Sequence, residues 1–460
     1  MLCFLVFAFL FQIRLLAFDE PTRGIRMSAS TDLSTDPATN QATVDKLAAN
    51  YVNEVLVWVK SSAGVKNTGG LTDFITKAHA AGIKVVLEYT VNQDDSYMAT
   101  HPQSHVYHSP GPAAPVDKNR PYAMTTTYVN LLYPGYKDFV VNDIASLVTA
   151  HNPDGICLEN LRYTHLVYSF DTYSLQRAAA LGCDTTHLLS YFNTTNYATY
   201  ITANAAAAYI DLYATNPDPD VVTWVNMRKA VLSEYITAIR AAIESIKPGI
   251  QLSALDSEEP ALDVQGPSVH YGQDYALHST LLDVISPYVA TTASLAHITM
   301  DAVALVDPRC KMTTYFLRTA TPDVQINQAL DNGSYGVIIE KYSTITTADW
   351  TVINPLFLTM KNATSIKEVE ELPSDFILKQ NYPNPFNTTT EIAFQVTKPC
   401  LVSLNVYDAL GRQVASLINK KMDSGTYKVN FDAKGLAEGL YFYRLNMNGS
   451  SLARKMTLKK

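Results

Sequence analysis

Five acidic residues of this chain lie at or near the ends of predicted β-strands. Glu88, Glu159 and Glu340 belong to short β-branched segments, and Asp256 and Glu258 follow another segment of the same kind. Carboxyl groups held close together can divide acid–base work, because one donates a proton while the other attacks or activates a water molecule. An acid in such a place can also cap a helix or pair with a cation, so each of the five keeps a structural alternative.

The sequence carries no comparable signal for a metal or a cofactor. His101, His105 and His108 lie close together in a long connection, but no Cys, Asp or Glu stands nearby in ligand register. A Gly-rich phosphate loop, a Gly-x-Ser-x-Gly motif and an HExxH helix are also missing from the sequence. We therefore predict no metal site and no cofactor, and we assign the histidines to a solvated loop.

Eight predicted strands alternate with helical segments between Arg23 and Met360. The strands are predicted at Gly24–Ser28, Glu54–Val59, Lys84–Thr90, Gly155–Glu159, Gln251–Ala254, Val284–Tyr288, Met312–Tyr315 and Tyr335–Lys341. The helices include Asn40–Ala49, Leu71–Ala81, Tyr136–Ala150, Trp224–Lys247, Gln273–Leu282 and Asp323–Leu330. A strand followed by a helix, repeated eight times, predicts an α/β fold of the (β/α)8 TIM-barrel type.

In such a barrel the carboxyl ends of all the strands meet on one face, where enzymes of this fold build their sites. The two longest connections, Val91–Tyr133 and Leu161–Val222, leave this face and indicate a substrate cleft. The first connection contains four tyrosines that could stack against sugar rings or pack the loop onto the barrel, namely Tyr97, Tyr107, Tyr122 and Tyr128.

The segment Asp154–Tyr163, Asp-Gly-Ile-Cys-Leu-Glu-Asn-Leu-Arg-Tyr, is similar to a strand of the glycosyl-hydrolase-like barrel family, which is related to α-amylase-type hydrolases. That strand has the pattern Asp-Gly-Ile-His-Phe-Asp-Asp-Tyr-Arg-Tyr. Four further segments stand in the order of that family: Asn130–Pro134, Ile246–Gly249, Gln273–Tyr275 and Asp283–Tyr288. The resemblance covers most of the barrel and implies a glycoside hydrolase that acts on a polysaccharide or oligosaccharide.

The resemblance also implies roles for the acids. It places the nucleophile on Glu159 and the acid/base after the fifth strand, with Glu258 as first choice and Asp256 as second. Further residues are expected to bind substrate: Arg162, Glu88, Glu340 and Tyr288. Glu159 stands where the family has Asp, and Cys157 stands where it has a polar residue, so a catalytically inactive barrel that binds glycan or serves as a surface component is the alternative. We expect Cys157 itself to be a small core residue.

The C-terminal segment predicts a separate β module. Apolar residues alternate in its strand candidates, as at Ile392, Phe394 and Val396, and the size suits a seven-strand, immunoglobulin-like sandwich. Four motifs follow one another: Tyr382–Asn387, Val406–Arg412, Gly439–Leu445 and Lys455–Lys460. In motifs, order and position the segment resembles the type A sorting domain of the type IX secretion system of Bacteroidetes and related bacteria. The resemblance implies recognition by the type IX translocon and a secreted or cell-surface location, whereas an ordinary immunoglobulin-like module is the alternative.

Export also fits the start of the chain. Residues 1–17 contain an apolar run and predict a signal peptide, although the usual positive start of such peptides is missing. We expect the barrel at 18–365, a linker at Ile366–Pro373 and the sorting module at 374–460. The net charge of −8 and the lack of a Lys/Arg cluster argue against a nucleic-acid partner, and no segment is apolar for long enough to predict a stable membrane span.

Overall fold

The computed structural model describes residues 20–106, 128–163, 166, 168–193, 218–256, 267–365, 378–396, 399–408, 413–447 and 450–459. The predicted signal peptide and linker lie outside these ranges. Four residues singled out above also lie outside them: Tyr107, His108, Tyr122 and Glu258.

The first module is a closed barrel of eight parallel strands in chain order, with the first strand paired to the eighth. The strands are β1 (Arg23–Ser28), β2 (Glu54–Lys60), β3 (Lys84–Thr90), β4 (Gly155–Glu159), β5 (Gln251–Asp256), β6 (Val284–Val289), β7 (Lys311–Leu317) and β8 (Gly336–Glu340). This confirms the predicted fold class. The bounds of β3 and β4 are the predicted ones, and β5 runs on to include Asp256, so this acid belongs to the strand.

Helices surround the barrel. They are α1 (Pro37–Ala49), α2 (Leu71–Ala80), α3 (Asp95–Thr100), α4 (Tyr136–His151), α5 (Thr172–Ala180), α6 (Thr185–Asn193), α7 (Pro219–Ile246), α8 (Tyr275–His278), α9 (Thr292–Leu305), α10 (Pro322–Asp331) and α11 (Thr347–Ser365). Short 3-10 turns lie at Pro102–Ser104 and Tyr342–Thr344, and a π-helical turn lies at Pro267–Tyr271. In the part of the chain described, no helix is both long and apolar enough to cross a membrane.

One predicted helix is wrong in extent. Instead of Gln273–Leu282, the structure has the single turn α8, which Asp274 caps by accepting a hydrogen bond from the Leu277 amide. Gln273 lies before this turn and points its side chain at Asp256, and the amides of Thr280 and Leu281 bond three residues back. The apolar residues of Gln273–Leu282 therefore lie on a series of turns and do not form one face of a helix.

The pleat of the strands determines which side chains enter the barrel. Every second residue points inward. Residues from six strands form one buried cluster in the interior: Leu56, Val86, Cys157, Leu255, Tyr315 and Ile338. Cys157 is thus the small core residue expected from the sequence. The positions two residues further along β2, β3, β4 and β8 are Trp58, Glu88, Glu159 and Glu340, so the apolar layer gives way to acidic side chains at the carboxyl ends of the strands.

The C-terminal module consists of two antiparallel sheets. Its strands are β9 (Thr389–Val396), β10 (Cys400–Asp408), β11 (Gln413–Met422), β12 (Gly425–Asp432), β13 (Gly439–Met447) and β14 (Ser450–Leu458). The larger sheet has the order β11-β10-β13-β14, and β12 pairs with β9. Ile392, Phe394 and Val396 are all buried, as the alternation predicts. The described residues form six strands rather than the expected seven, and Leu378 adds only an isolated bridge to Phe394.

Candidate active site

A cavity of about 430 Å³ opens at the carboxyl ends of the barrel strands. Its lining comes from six strands and the segments that follow them: Arg26, Glu159, Asn160, Arg162, Leu255, Asp256, Tyr271, Tyr288, Tyr315 and Glu340. Three carboxyl groups, two guanidinium groups and three phenol rings therefore share one space. This is the face on which barrel enzymes bind their substrates.

Glu159 is the last residue of β4 and accepts a hydrogen bond from the hydroxyl of Thr90 on β3. The Trp58 indole in turn donates to that hydroxyl at 2.9 Å, which fixes its orientation. Burial raises the pKa of Glu159, while the hydrogen bond from Thr90 and the charge of Arg26 act to lower it. The carboxyl group is thus oriented by donors that favour its charged form.

Asp256 is the last residue of β5 and is 3% exposed. Its Oδ1 accepts a hydrogen bond from Gln273 Nε2 at 3.0 Å, whereas Oδ2 has no hydrogen-bond partner in the described part of the chain. Burial, with a smaller contribution from Asp274, raises the pKa of Asp256 to about 7. Near neutral pH this carboxyl group therefore carries a proton that it can donate.

Arg26 on β1 links two acids at the bottom of the cavity, Glu88 and Glu340. Its Nε and Nη2 donate to the two oxygens of Glu88 at 3.0 and 2.7 Å, and its Nη1 donates to Glu340 at 3.3 Å. Its guanidinium carbon also lies 4.7 Å from the centre of the Trp58 ring. Burial raises the pKa of Glu88 to about 8 although Arg26 opposes the shift. The fork of Arg26 compensates charge that would otherwise be buried alone.

We expect Arg26→Met to lower the free energy of unfolding by about 3–5 kcal/mol, because Glu88 would be left buried without its partner. The double variant with Glu88→Gln should recover part of this loss, since both ends of the buried pair are then neutral. Arg177 and Glu234 form an exposed pair at 2.6 Å and provide the control. Arg177→Met should cost less than about 1 kcal/mol in the same denaturant titrations. Equal costs for the two arginine variants would contradict this account of Arg26.

A second set of contacts orients Arg162. The backbone of Asn160 has φ of 52°, a left-handed conformation that Asn adopts more readily than most residues, and it turns the chain directly after Glu159. Arg162 Nε donates to Asn160 Oδ1 at 3.1 Å, and the guanidinium carbon lies 4.8 Å from the centre of the Tyr271 ring. The rings of Tyr288 and Tyr315 are 5.5 Å apart on another part of the wall. Rings of this kind provide flat apolar faces beside polar groups.

Five of the candidate residues named from the sequence line the cavity: Glu159, Asp256, Arg162, Glu340 and Tyr288. Glu88 does not line it, because this residue is fully buried and binds Arg26. Glu258 lies outside the described residues. Sequence reasoning missed Arg26, Tyr271, Tyr315 and Gln273. Of these, Arg26 gave a usable signal, since it is a charged residue within a predicted barrel strand.

One group in the described ranges has the geometry to hold a metal ion, and it lies outside this cavity. The ligand atoms of His187, Asp218 and Asp220 are all within 4.8 Å of one another. Asp218 already accepts from His187 and caps α7 through the amides of Asp220 and Val221. Of the histidines considered from the sequence, His101 stacks on Tyr97 with ring centres 4.0 Å apart, and the backbone of His105 forms a bridge with that of Val129.

Comparison with known proteins identifies the C-terminal module. Residues 380–459 match the family model described as a secretion system C-terminal sorting domain, which confirms the prediction from the motifs. This match indicates export to the cell surface or the medium. No curated protein matches the chain.

Solved structures resemble the barrel. The PgaB (BpsB) glycoside hydrolase domain from Bordetella bronchiseptica has a TM-score of 0.54 at 11% identity, over 76% of this chain and 100% of that domain. A β-galactosidase from the psychrophilic Marinomonas ef1 has a TM-score of 0.54 at 10% identity, over 77% of this chain and 62% of that one. The α-L-fucosidase isoenzyme 2 from Paenibacillus thiaminolyticus has a TM-score of 0.50 at 16% identity, over 75% of this chain and 50% of that one. At these identities the likeness shows the fold alone, a (β/α)8 barrel.

Proposed function

We propose that this protein is an exported glycoside hydrolase that cleaves a polysaccharide in the cavity at the mouth of its barrel. The observation that carries the proposal is the presence of Glu159 and Asp256 in one cavity, the first held by donors and the second with a free buried oxygen. Hydrolysis of a glycosidic bond requires two carboxyl groups with different roles. Two acids of one site that lie in different environments, and so take different roles, are the usual sign of such a catalytic pair.

In this mechanism Asp256 is the general acid. Its pKa of about 7 keeps about half of it protonated at neutral pH and most of it at acidic pH, so Oδ2 can protonate the oxygen of the leaving sugar. Glu159 acts from β4 as the nucleophile or as the base that activates water, and the Thr90 hydroxyl and Arg26 favour its anionic form. The separation of the two carboxyl groups in the substrate complex decides between retention and inversion of the anomeric centre. Glu258, the first choice from the sequence, remains the competing candidate for the acid.

The remaining groups of the lining suit a sugar chain. Tyr271, Tyr288 and Tyr315 provide aromatic faces for sugar rings, and Arg162 and Glu340 provide polar contacts for their substituents. The solved structures that resemble the barrel are named as a glycoside hydrolase domain, a β-galactosidase and a fucosidase. These names support glycan as the substrate class, but they do not select a sugar or a linkage.

A catalytically inactive glycan-binding barrel is the second candidate. Two observations favour it: Glu159 stands where the resembling family has Asp, and burial raises the pKa of this carboxyl group, which acts against the anionic form that a nucleophile needs. Incubation of the full chain with a panel of polysaccharides separates the two functions. A hydrolase yields new oligosaccharides in chromatography of the supernatant, whereas a binding protein retains glycans on an array and leaves every polymer at its original length.

Export gives a prediction of its own. Deletion of Leu372–Lys460 should trap the barrel in the periplasm of its host, because the segment matched to the sorting domain is then lost. The barrel has its own core, and its contacts to the sandwich include Arg444 Nη1 donating to the Asp331 carbonyl at 3.1 Å. Cell fractionation measures the location, and a thermal melt of the truncated protein measures whether it stays folded.

The reciprocal fusion is the control. Leu372–Lys460 attached to an unrelated periplasmic protein should carry that protein to the surface or the medium. Normal secretion of the truncated chain would rule out the sorting role, and unfolding of the truncated barrel would show that the domain boundary is misplaced.

A further inference from the structure

Arg162 differs from the other cation of the cavity in its partners. Arg26 is bound by the carboxylates of Glu88 and Glu340. Arg162 donates instead to neutral oxygens, to Asn160 Oδ1 at 3.1 Å and to the Tyr128 hydroxyl at 3.4 Å. Among the residues that the structure describes, no carboxylate lies within ion-pair distance of Arg162. Its positive charge therefore faces the cavity without a carboxylate of the described residues paired to it.

The guanidinium group is also held in one orientation. The Tyr271 ring lies under it at 4.8 Å, and Asn160 fixes Nε. Nη1 bonds to no acceptor in the described ranges, so this edge of the planar group is available to a ligand. A guanidinium edge matches the two oxygens of a carboxylate, and a fixed guanidinium loses little conformational freedom when it binds one.

The acids of the same cavity do not oppose an anionic ligand as strongly as their number suggests. Glu340 is paired with Arg26 at 3.3 Å. Burial raises the pKa of Asp256 to about 7, so this carboxyl group carries less negative charge than an exposed acid.

We propose that the substrate is an acidic glycan and that Arg162 binds the carboxylate of a uronic acid unit in the cavity. The inference rests on the proposed function for the statement that the ligand is a glycan. It adds the chemical class of that glycan and the residue that selects it.

The test uses matched ligands and measures binding rather than turnover. Oligosaccharides from several polyuronates are compared with the same oligosaccharides after chemical reduction of their carboxyl groups to alcohols, by calorimetry on the full chain carrying Glu159→Gln. We expect at least one acidic member to bind at least about tenfold more tightly than its reduced form, as is typical of hydrogen bonds to a charged group. The preference should weaken as NaCl is added.

Variants then assign the effect to the residue. Arg162→Gln should abolish the preference for the acidic ligand while affinity for the reduced ligand changes less than about threefold, since only the ionic contact is lost. Arg162→Lys should retain part of the preference, because it keeps the charge without the planar fork. Arg177→Gln, at the exposed pair with Glu234, is the matched control and should leave both affinities unchanged.

The inference is overturned if no polyuronate fragment binds more tightly than its reduced form, or if Arg162→Gln keeps the preference. Sulfated galactan fragments form a third arm, and Arg162-dependent binding of these alone would replace the carboxylate with a sulfate. The two proposals also fail separately. If the wild-type chain binds an acidic glycan but does not cleave it, the proposed hydrolase activity is contradicted. If it cleaves only neutral glycans, the proposed acidic substrate is contradicted.

Discussion

Glu159→Gln is expected to lower kcat on the polysaccharide substrate by on the order of 10³-fold or more, with binding of the substrate close to wild type. The amide keeps the shape of the side chain and its contact with Thr90, but it can neither attack the anomeric carbon nor take a proton from water. Steady-state kinetics measure the loss, and calorimetry on the same substrate measures the retained affinity.

Glu340→Gln is the matched control, because it makes the same change in another acid of the same cavity. Glu340 pairs with Arg26 and has no proposed part in the chemistry, so its variant should retain much more activity than Glu159→Gln. Glu159→Asp adds a further distinction. If Glu159 is a working nucleophile, Glu159→Asp shortens the side chain by one methylene and should lower kcat. If the barrel lost its activity when Asp was replaced by Glu, the same variant should partly restore kcat. Full activity in Glu159→Gln would remove this residue from the mechanism and leave Asp256, Glu258 and Glu340 as candidates.

Asp256→Asn should lower kcat on the polysaccharide by roughly 10²–10⁴-fold, the usual range for loss of a general acid. The loss should be much smaller on an activated aryl glycoside, whose leaving group departs without a proton. Glu258→Gln is the comparison that decides between the two candidates, since only the true acid gives this difference between substrates. Equal losses on both substrates for Asp256→Asn would assign Asp256 a structural role.

The pH dependence follows from the same carboxyl group. A general acid is active only while protonated, so the activity that depends on Asp256 should be complete well below pH 7 and fall as the pH rises through the pKa of about 7. Stability should change in the same direction, because a carboxyl group with a raised folded-state pKa destabilises the fold as it ionises. The melting temperature of the wild type should therefore fall relative to that of Asp256→Asn as the pH rises from about 4, where the unfolded chain ionises, to about 7, and the difference should level off above pH 7. If the difference in melting temperature between the wild type and Asp256→Asn stayed constant from pH 5 to pH 9, the pKa assigned to Asp256 would be contradicted.

The elements of the barrel could be predicted because each depends on local sequence. The run Lys84–Thr90 is rich in apolar and β-branched residues, as expected of a strand covered on both faces, and its bounds agree with the structure. The positions of Glu159 and Asp256 followed from the strands that they end. The (β/α)8 connectivity then brought both acids to one face of the molecule.

The partners of these acids could not be predicted, because they depend on how the barrel closes. Arg26 meets Glu88 across β1 and β3 and meets Glu340 on β8, and these contacts join residues 62 and 314 positions apart. Gln273 reaches Asp256 only because the predicted helix around it is reduced to one turn. No periodicity in a single strand or helix encodes such contacts, and they are the ones that determine the charge of the cavity.

The most direct test of the hydrolase is the release of new reducing ends from a panel of neutral, acidic and sulfated polysaccharides. The full chain is compared with a double variant carrying Glu159→Gln and Asp256→Asn, both purified by the same procedure and shown to have similar melting temperatures below pH 7. We predict that the wild type releases reducing ends from at least one polymer and that the double variant, which still binds this polymer, releases none above background. A wild-type chain that binds a polymer and leaves its length unchanged, or a double variant as active as the wild type, would contradict the account.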